Sequence, residues 1–541
     1  MDDRISGRRI DRRRFLAALG AGGSLLSVPA LLEACGGGTS GGTGEPGQGS
    51  GKVPFYDGTF TVAMITNPQG LDPQLNTNTE SYQAMMAIYD PLVGFSPSTG
   101  EYYPRLIQKM PDTSDPTSYT MKLRPDIKFH DGSPLTTADV KATFDFILRT
   151  GKKSPSYTLF ASLAEVKVVD DLTFQMNLSA PSSSFVAYLA GMQGAIVKKA
   201  AREGGQDLTR DPKGAGSGPF ELVDWVDGDH LTFQRFKDYF REGHPKFEKL
   251  TYRIVLDPSA RETQVLSGSV DFAYDTPKKD YQKIITTSGV HGKAGPAQKV
   301  DVVYFNQAHP MGKDLHLRRA LNFAVDGNAL LKAVYAGQGA VAHGPLRPGS
   351  KWYDPAVEKI SFFDLDKAKA ELKQSTQPRG LTFDFPCQND PVIVQQATLI
   401  QAMWRKIGVK ANVLPMEKVS FLNRIKLGDP GWFVGCTTWA DGVYTPDYMI
   451  NTNFTRNGSF GRTGWWTPQV DDLITQVEQT ADLARQRQLM SQVSKIMAEQ
   501  VPAIWFTWQV WTPAWRDYVR GYAPANTYYA YLDEVAIASH S

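Results

Sequence analysis

Cysteine is almost missing from this chain: three in 541 residues, at positions 35, 387 and 436. So few exclude a small disulfide-stapled scaffold and a cysteine-rich zinc site. Cys387 and Cys436 lie 49 positions apart, and the sequence leaves open whether they pair or stay as two buried thiols. Histidine is scarce as well. None of the eight stands four residues from another, as a zinc-protease helix needs. His309 and His316, seven apart, read as capping or solvated residues. Excess charge is missing too. The segment before Cys35 holds six arginines and four acids, which accounts for the whole net charge of +2. The remaining chain is formally neutral and has no long basic run, which argues against nucleic acid as the main partner. Beyond Cys35 no stretch approaches the ~20 apolar residues that cross a bilayer.

Catalytic constellations are equally absent. Gly214-Ala215-Gly216-Ser217-Gly218-Pro219 lacks the lysine of a phosphate loop, and Pro219 takes the place of a third dinucleotide-binding glycine. The run does not fit Gly-x-Ser-x-Gly, so Ser217 is a poor nucleophile candidate. Asp471-Asp472 is ordinary helix-surface charge. No cofactor motif and no metal-ligand spacing is found. Nothing in these runs rises to a catalytic site, and a secreted hydrolase with an unrecognised site stays open as one reading.

What is present begins at the N-terminus. Arg12-Arg13-Arg14-Phe15-Leu16 leads into a weakly apolar run, Ala17 to Leu32, diluted by Gly20, Gly22, Gly23 and Pro29. Twin arginines, such a run and a cysteine at the cleavage point are the layout of a bacterial export signal with a lipid attachment site. Leu32-Glu33-Ala34-Cys35 resembles a lipobox, with Glu33 departing at −2. Arg12 and Arg13 before Phe-Leu resemble a Tat signal. A retained anchor and a cleaved, unlipidated signal are the alternatives. Residues 36–52 (GGGTSGGTGEPGQGSGK) form a flexible tether.

About 500 residues after Cys35 are enough for two to four domains. Strand-like runs recur at Thr59–Ile65, Ser118–Leu123, Leu172–Leu178, His230–Phe236, Thr251–Val255, Val300–Phe305 and Leu381–Phe385. Thr136 and Asp139 form a capping-box start for a helix whose stripe is Val140, Phe144, Ile147 and Leu148. A second helix is predicted from Leu317 through Val334 to the terminator Gly337, a third over Ile393–Ile407, and the longest from Val470 to Glu499. Strands and helices alternate without strict βαβ repetition, which reads as α/β with mixed sheets.

Aromatics cluster late. Ten of the eleven tryptophans lie after residue 350, and Trp432, Trp439, Trp465 and Trp466 fall within 35 residues of predicted loop. Indoles on loops line ligand clefts or belong to the core. Asp441, two residues beyond Trp439, can hold a ligand ammonium beside an aromatic wall. It can equally form an Asp-Gly turn with Gly442.

Tyr119-Thr120-Met121-Lys122-Leu123-Arg124-Pro125, continuing through Ile127-Lys128-Phe129-His130-Asp131-Gly132-Ser133-Pro134-Leu135-Thr136 to Asp139-Val140, closely resembles the signature of extracytoplasmic solute-binding proteins of the peptide/nickel class. Other segments follow in family order: Gly70-Leu71-Asp72-Pro73, Ile88 to Val93, Gly216-Ser217-Gly218-Pro219-Phe220, Leu266 to Asp271, Arg318 to Asp326, Trp404 to Val409 and Val501 to Trp505. The resemblance covers residues 54–541.

It implies a two-lobed periplasmic-binding-protein clamshell with an extra domain inserted in the first lobe. The expected map is export signal 1–34, tether 35–53, first lobe 54–91, inserted domain 92–215, first lobe again 216–302, second lobe 303–505 and a last first-lobe segment 506–541. Solute is enclosed between lobes and handed to an ABC importer permease. In peptide-binding members an aspartate after a tryptophan holds the α-amino group, and Trp439-Ala440-Asp441 fits that position. Gly442 to Asp447 depart from the usual spacing, so an oligosaccharide or glycoside receptor is the runner-up and a sensory receptor a third reading. Asp441, Trp439, Trp432, Asn306 and Tyr82 are the expected ligand-binding residues. No cofactor, metal or nucleic acid is expected. The protein is expected to be a monomer outside the cytoplasm, anchored to the membrane through lipid on Cys35.

Overall fold

The computed structural model describes residues 55–76, 78–96, 99–440, 445–458, 461–524 and 528–538. Arg12, Arg13, Cys35, the tether and Asp441 lie outside the described residues. No helix among the described residues is long and apolar enough to cross a membrane.

Two mixed sheets carry the fold. One has seven strands in the order Val290–Gly292, Ala514–Arg516, Phe272–Ala273, Tyr56–Met64, Phe247–Ile254, His230–Arg235 and Phe220–Val226. Tyr56–Met64 runs parallel to both its neighbours, and the outer pairs are antiparallel. The other has six strands in the order Ala340–Val341, Ala503–Trp511, Gly295–Phe305, Val434–Ala440, Thr382–Gln388 and Lys410–Met416. Alternate residues of its central strand feed two cores. Val303 and Phe305 pack with Leu321, Ile400 and Trp404, whereas Val300, Val302 and Tyr304 pack with Ile450, Ile474 and Val493.

A smaller antiparallel sheet, Ser118–Lys122, Thr173–Leu178 and Leu163–Val168, has a core of its own that runs from Leu92 to Ile196. The family-signature segment lies at the joint between this inserted unit and the seven-stranded unit. His130 N donates to Gly216 O (2.9 Å), and His130 Nε2 meets Gly218 O at 3.0 Å. Gly216 and Gly218 are required by packing, since a Cβ on Gly216 would sit 2.0 Å from Ile88 O and one on Gly218 2.7 Å from it. The Leu266–Asp271 motif has a local reason too. Gly268 ends helix Pro258–Ser267 at φ +77, and Asp271 Oδ2 then accepts the Thr61 N–H (2.6 Å).

Two predicted helices are broken in two. Leu317–Val334 becomes Leu315–Phe323 and Gly327–Tyr335, because Asp326 caps the second by accepting the Ala329 N–H (3.0 Å). Val470–Glu499 becomes Pro468–Glu478 and Leu483–Gln500, restarted by Asp482, which accepts from Arg485 N (2.7 Å). The apolar period survives each break, and only the caps reveal it. The capping box at Thr136 is formed as expected. Arg318 fastens one helix end to another, donating to Gln500 O, Val501 O and Gly312 O. The guanidinium thus satisfies carbonyls left without helical partners at two helix ends, one of them capped by Val501 at φ +46.

Candidate functional site

Trp439 stands at the end of strand Val434–Ala440, opposite Val300. Half-buried, it packs against both the inserted unit's core and a core of the six-stranded unit. Its ring centroid is 6.2 Å from that of Tyr448, a residue of the six-stranded unit built into the inserted unit's core. An indole here bridges two bodies.

Trp432 and Asn306 are brought together, and both are buried. Asn306 Nδ2 donates to Trp432 O and Asp429 O (2.7 Å each), and its Oδ1 accepts the Ala308 N–H (3.0 Å). Trp432 Nε1 donates to Lys426 O at 2.9 Å. Neither side chain has a polar hydrogen left to offer. The pair braces the turn from which strand Val434–Ala440, and hence Trp439, is launched.

Tyr82 sits elsewhere, buried on helix Thr79–Ile88. Its ring stacks on Tyr529 with centroids 4.1 Å apart, and its hydroxyl accepts the Met192 N–H (2.9 Å). Burial pushes its pKa up to about 12. It lines a cavity of about 50 Å³ with Met86, Met192, Tyr252, Tyr531 and Arg105. The lining holds no residue of the six-stranded sheet.

A polar cluster occupies the line where the two sheets meet. Strand Gly295–Phe305 is kinked by a register shift between Pro296 and Val300, with Gln298 at φ +46. Just past the kink, Lys299 places its ammonium 5.1 Å from the Tyr528 ring centroid. Gln338 Nε2 donates to Lys278 O (2.5 Å), and Lys278 pairs with Asp275. Burial opposes the Asp275 carboxylate, yet the Lys278 ammonium and the Thr512 hydroxyl outweigh it and hold its pKa low. Asp301, fully buried, accepts from Tyr335 (2.8 Å), Gln396 (2.7 Å), Gln509 (2.6 Å) and Thr507. Burial raises its pKa against the pull of those four donors. The sequence showed Asp301 only as one acid in an apolar strand and gave no hint of the partners.

Among the described residues no three His, Cys, Asp or Glu side chains gather as metal ligands. His309 Nδ1 accepts the Met311 N–H (3.1 Å), and His316 pairs with Glu371 (2.7 Å). Both are structural.

Residues 101–461 match the family described as bacterial extracellular solute-binding proteins, family 5 Middle. The chain belongs to that family. A dipeptide-binding protein of Escherichia coli K12 is 28% identical over 496 residues, 86% of this chain and 92% of that protein. A periplasmic binding protein from Helicobacter pylori, solved with the peptide STSA, superposes with a TM-score of 0.82 at 20% identity, covering 90% of this chain and 99% of its own. One from Agrobacterium (A. tumefaciens R10), solved with agropinic acid, gives 0.81 at 23%, covering 90% and 99%. The mixed α/β architecture with its two large sheets is that of two-lobed periplasmic binding proteins, and the chain is a solute-binding receptor.

Proposed function

We propose that this receptor captures peptides or related amino-acid solutes between the unit built on the seven-stranded sheet and the unit built on the six-stranded sheet, and delivers them to an ABC importer permease. The observation that carries the reading is the placement of Trp439. It stands where the inserted and six-stranded units meet, on a strand that runs in sequence straight to Asp441. An aromatic wall followed two residues later by a carboxylate suits an ammonium group in a partly dry site. In this reading Asp441 and Trp439 touch solute, Trp432 and Asn306 hold the strand in place, and Tyr82 shapes the first lobe. Strands Gly295–Phe305, kinked at Gln298, and Ala503–Trp511 serve as the two hinge strands between the units. The inserted domain is the 92–215 segment, whose core begins at Leu92.

The same proposal places the protein outside the cytoplasm as a monomer. It is exported by the Tat route through Arg12 and Arg13, lipidated at Cys35, and held above the membrane by the 36–52 tether. Relatives named for a dipeptide and a peptide support peptides over sugars.

The test is mass spectrometry of solute released from natively purified protein, followed by calorimetry on Asp441→Asn with that solute. A ladder of peptide masses and a loss of about 1.5–3 kcal/mol in the variant are the expected results. Hexose-spaced masses, or unchanged affinity in the variant, overturn the peptide reading.

A further inference from the structure

The joint between the inserted unit and the six-stranded unit contains two carboxyl groups and no cation paired with either among the described residues. Asp447 is fully buried and faces the inserted unit. Its Oδ1 accepts from Ser184 Oγ (2.8 Å) and its Oδ2 from the Tyr188 hydroxyl. Glu478 is the last residue of helix Pro468–Glu478, and its carboxyl lies within hydrogen-bonding reach of Asp447's. Asn451 Nδ2 donates to Glu478 Oε1 (2.5 Å). The helix end is capped from the other unit. Ser183 N donates to Glu478 O (2.5 Å) and Ser183 Oγ to Val477 O (3.1 Å).

We propose that Asp447 and Glu478 share one proton and so form a clasp that fastens the inserted unit to the six-stranded unit, opening when that proton is lost. Two carboxylates this close repel unless one is protonated, because the joint supplies no compensating charge. The proton belongs on Glu478. Asp447 already accepts two hydroxyl bonds and precedes a helix N-terminus, where negative charge is favoured, whereas Glu478 ends a helix, where it is not. Burial, reinforced by the Asp447 charge and hydrogen bond, raises the Glu478 pKa to about 8. Glu478 keeps some exposure, so its proton exchanges with solvent.

The groups facing the pair from the packed elements are few. The inserted unit supplies Ser183, Ser184 and the Tyr188 phenol, and helix Tyr448–Phe454 supplies Asn451 and Tyr448. Helix Leu483–Gln500 supplies Gln486, whose amide reaches Ser183 Oγ (3.3 Å). Arg485 is tied to Gln476 and Gln488 (2.8 Å each). Asp471 and Asp472 lie about two turns back along Glu478's own helix, and neither residues 157–190 nor residues 448–500 include a histidine.

The test is amide hydrogen exchange on the solute-free protein from pH 5.5 to 9, corrected for intrinsic exchange, with strand Thr382–Gln388 as internal reference. It requires no solute, so its outcome is independent of the peptide reading. Protection of Ser183 and its neighbours is expected to fall by up to about tenfold per pH unit toward pH 8 and then level off, as loss of one proton requires. Glu478→Gln keeps a donor for Asp447 and is expected to abolish that slope while retaining the protection. An identical slope in Glu478→Gln overturns the clasp, as does a flat profile in the unaltered protein. If Glu478→Gln fails to fold, Asp447→Asn serves instead, with the slope expected to shrink and move to lower pH. An unchanged slope there overturns the proposal equally.

Discussion

Cys387 and Cys436 are register partners on adjacent parallel strands, both buried and both free thiols. Burial pushes the Cys387 pKa up to about 11 and that of Cys436 further still, so neither offers a thiolate near neutral pH. A thiol reagent at pH 8 is expected to leave both untouched in the folded protein and to modify both once guanidinium unfolds it. Rapid labelling of the native protein would contradict this placement.

The glycines at 216 and 218 are expected to tolerate no side chain. Gly218→Ala puts a methyl group against the Ile88 and Tyr89 backbone, which cannot yield as a flexible side chain does. A loss of about 1–3 kcal/mol, the usual cost of overpacking, should appear in urea unfolding. An alanine at Gly100, where nothing lies within 4 Å, creates no clash, although φ +76 leaves some backbone strain.

His130 supplies a clean titration. Burial lowers its pKa to about 4, against the opposing hydrogen bond to Gly218 O and the charge of Asp131. Its neutral ring is favoured by the fold. The stability it contributes is therefore complete above the ordinary value of about 6.5 and is lost as pH falls from there toward 4. An imidazole NMR titration should place the midpoint near 4. A midpoint near 6.5 would show the ring to be solvated.

If solute capture closes the two units on one another, the clasp makes affinity depend on pH. The Glu478 carboxyl has a raised pKa in the joined state, about 8, against about 4.3 when solvated. Joining therefore takes up a proton between those values. Affinity should be greatest at the acidic end, weaken as pH rises toward 8, and change no further above it. Calorimetry of the released solute at pH 6 and 8 checks the sign, and Glu478→Gln should erase the difference.

Trp439→Phe and Trp432→Phe separate contact from support. The first should lower solute affinity with little change in melting temperature, since a phenyl still fills the joint. The second should lower the melting temperature by removing the Trp432–Lys426 bond and leave affinity nearly intact.

Much of the fold was legible because its signals are local. Strands over 118–122, 230–235 and 382–388 appear within a residue or two of their predicted starts, since β-rich runs bounded by turns need little context. Helix breaks at Asp326 and Asp482 were hidden by an apolar period that continues across them, although each aspartate is itself a capping residue. The joint was illegible for a different reason. Ser184 and Asp447 are separated by 263 positions, and no spacing rule brings a serine in one unit to an acid in another. Asn306 is marked for the cleft by its place at the predicted hinge, and Trp432 by an indole on predicted loop. Which Asn306 atoms were already spent depended on a turn 123–126 residues away, whereas the Trp432 indole N–H is taken up locally by Lys426 O.

Gly295 and Trp511 face one another in register, so the chain enters and leaves the six-stranded unit through the same doorway. Among the described residues, the buried members of both cores flanking that sheet come from residues 300–508. A unit with adjoining ends and its own interior is a cassette. It can be lifted out, closed with a short linker, or exchanged for another of its kind without re-routing the rest of the chain. That arrangement gives evolution a way to change the six-stranded unit while the seven-stranded sheet and the small antiparallel sheet beside it are kept.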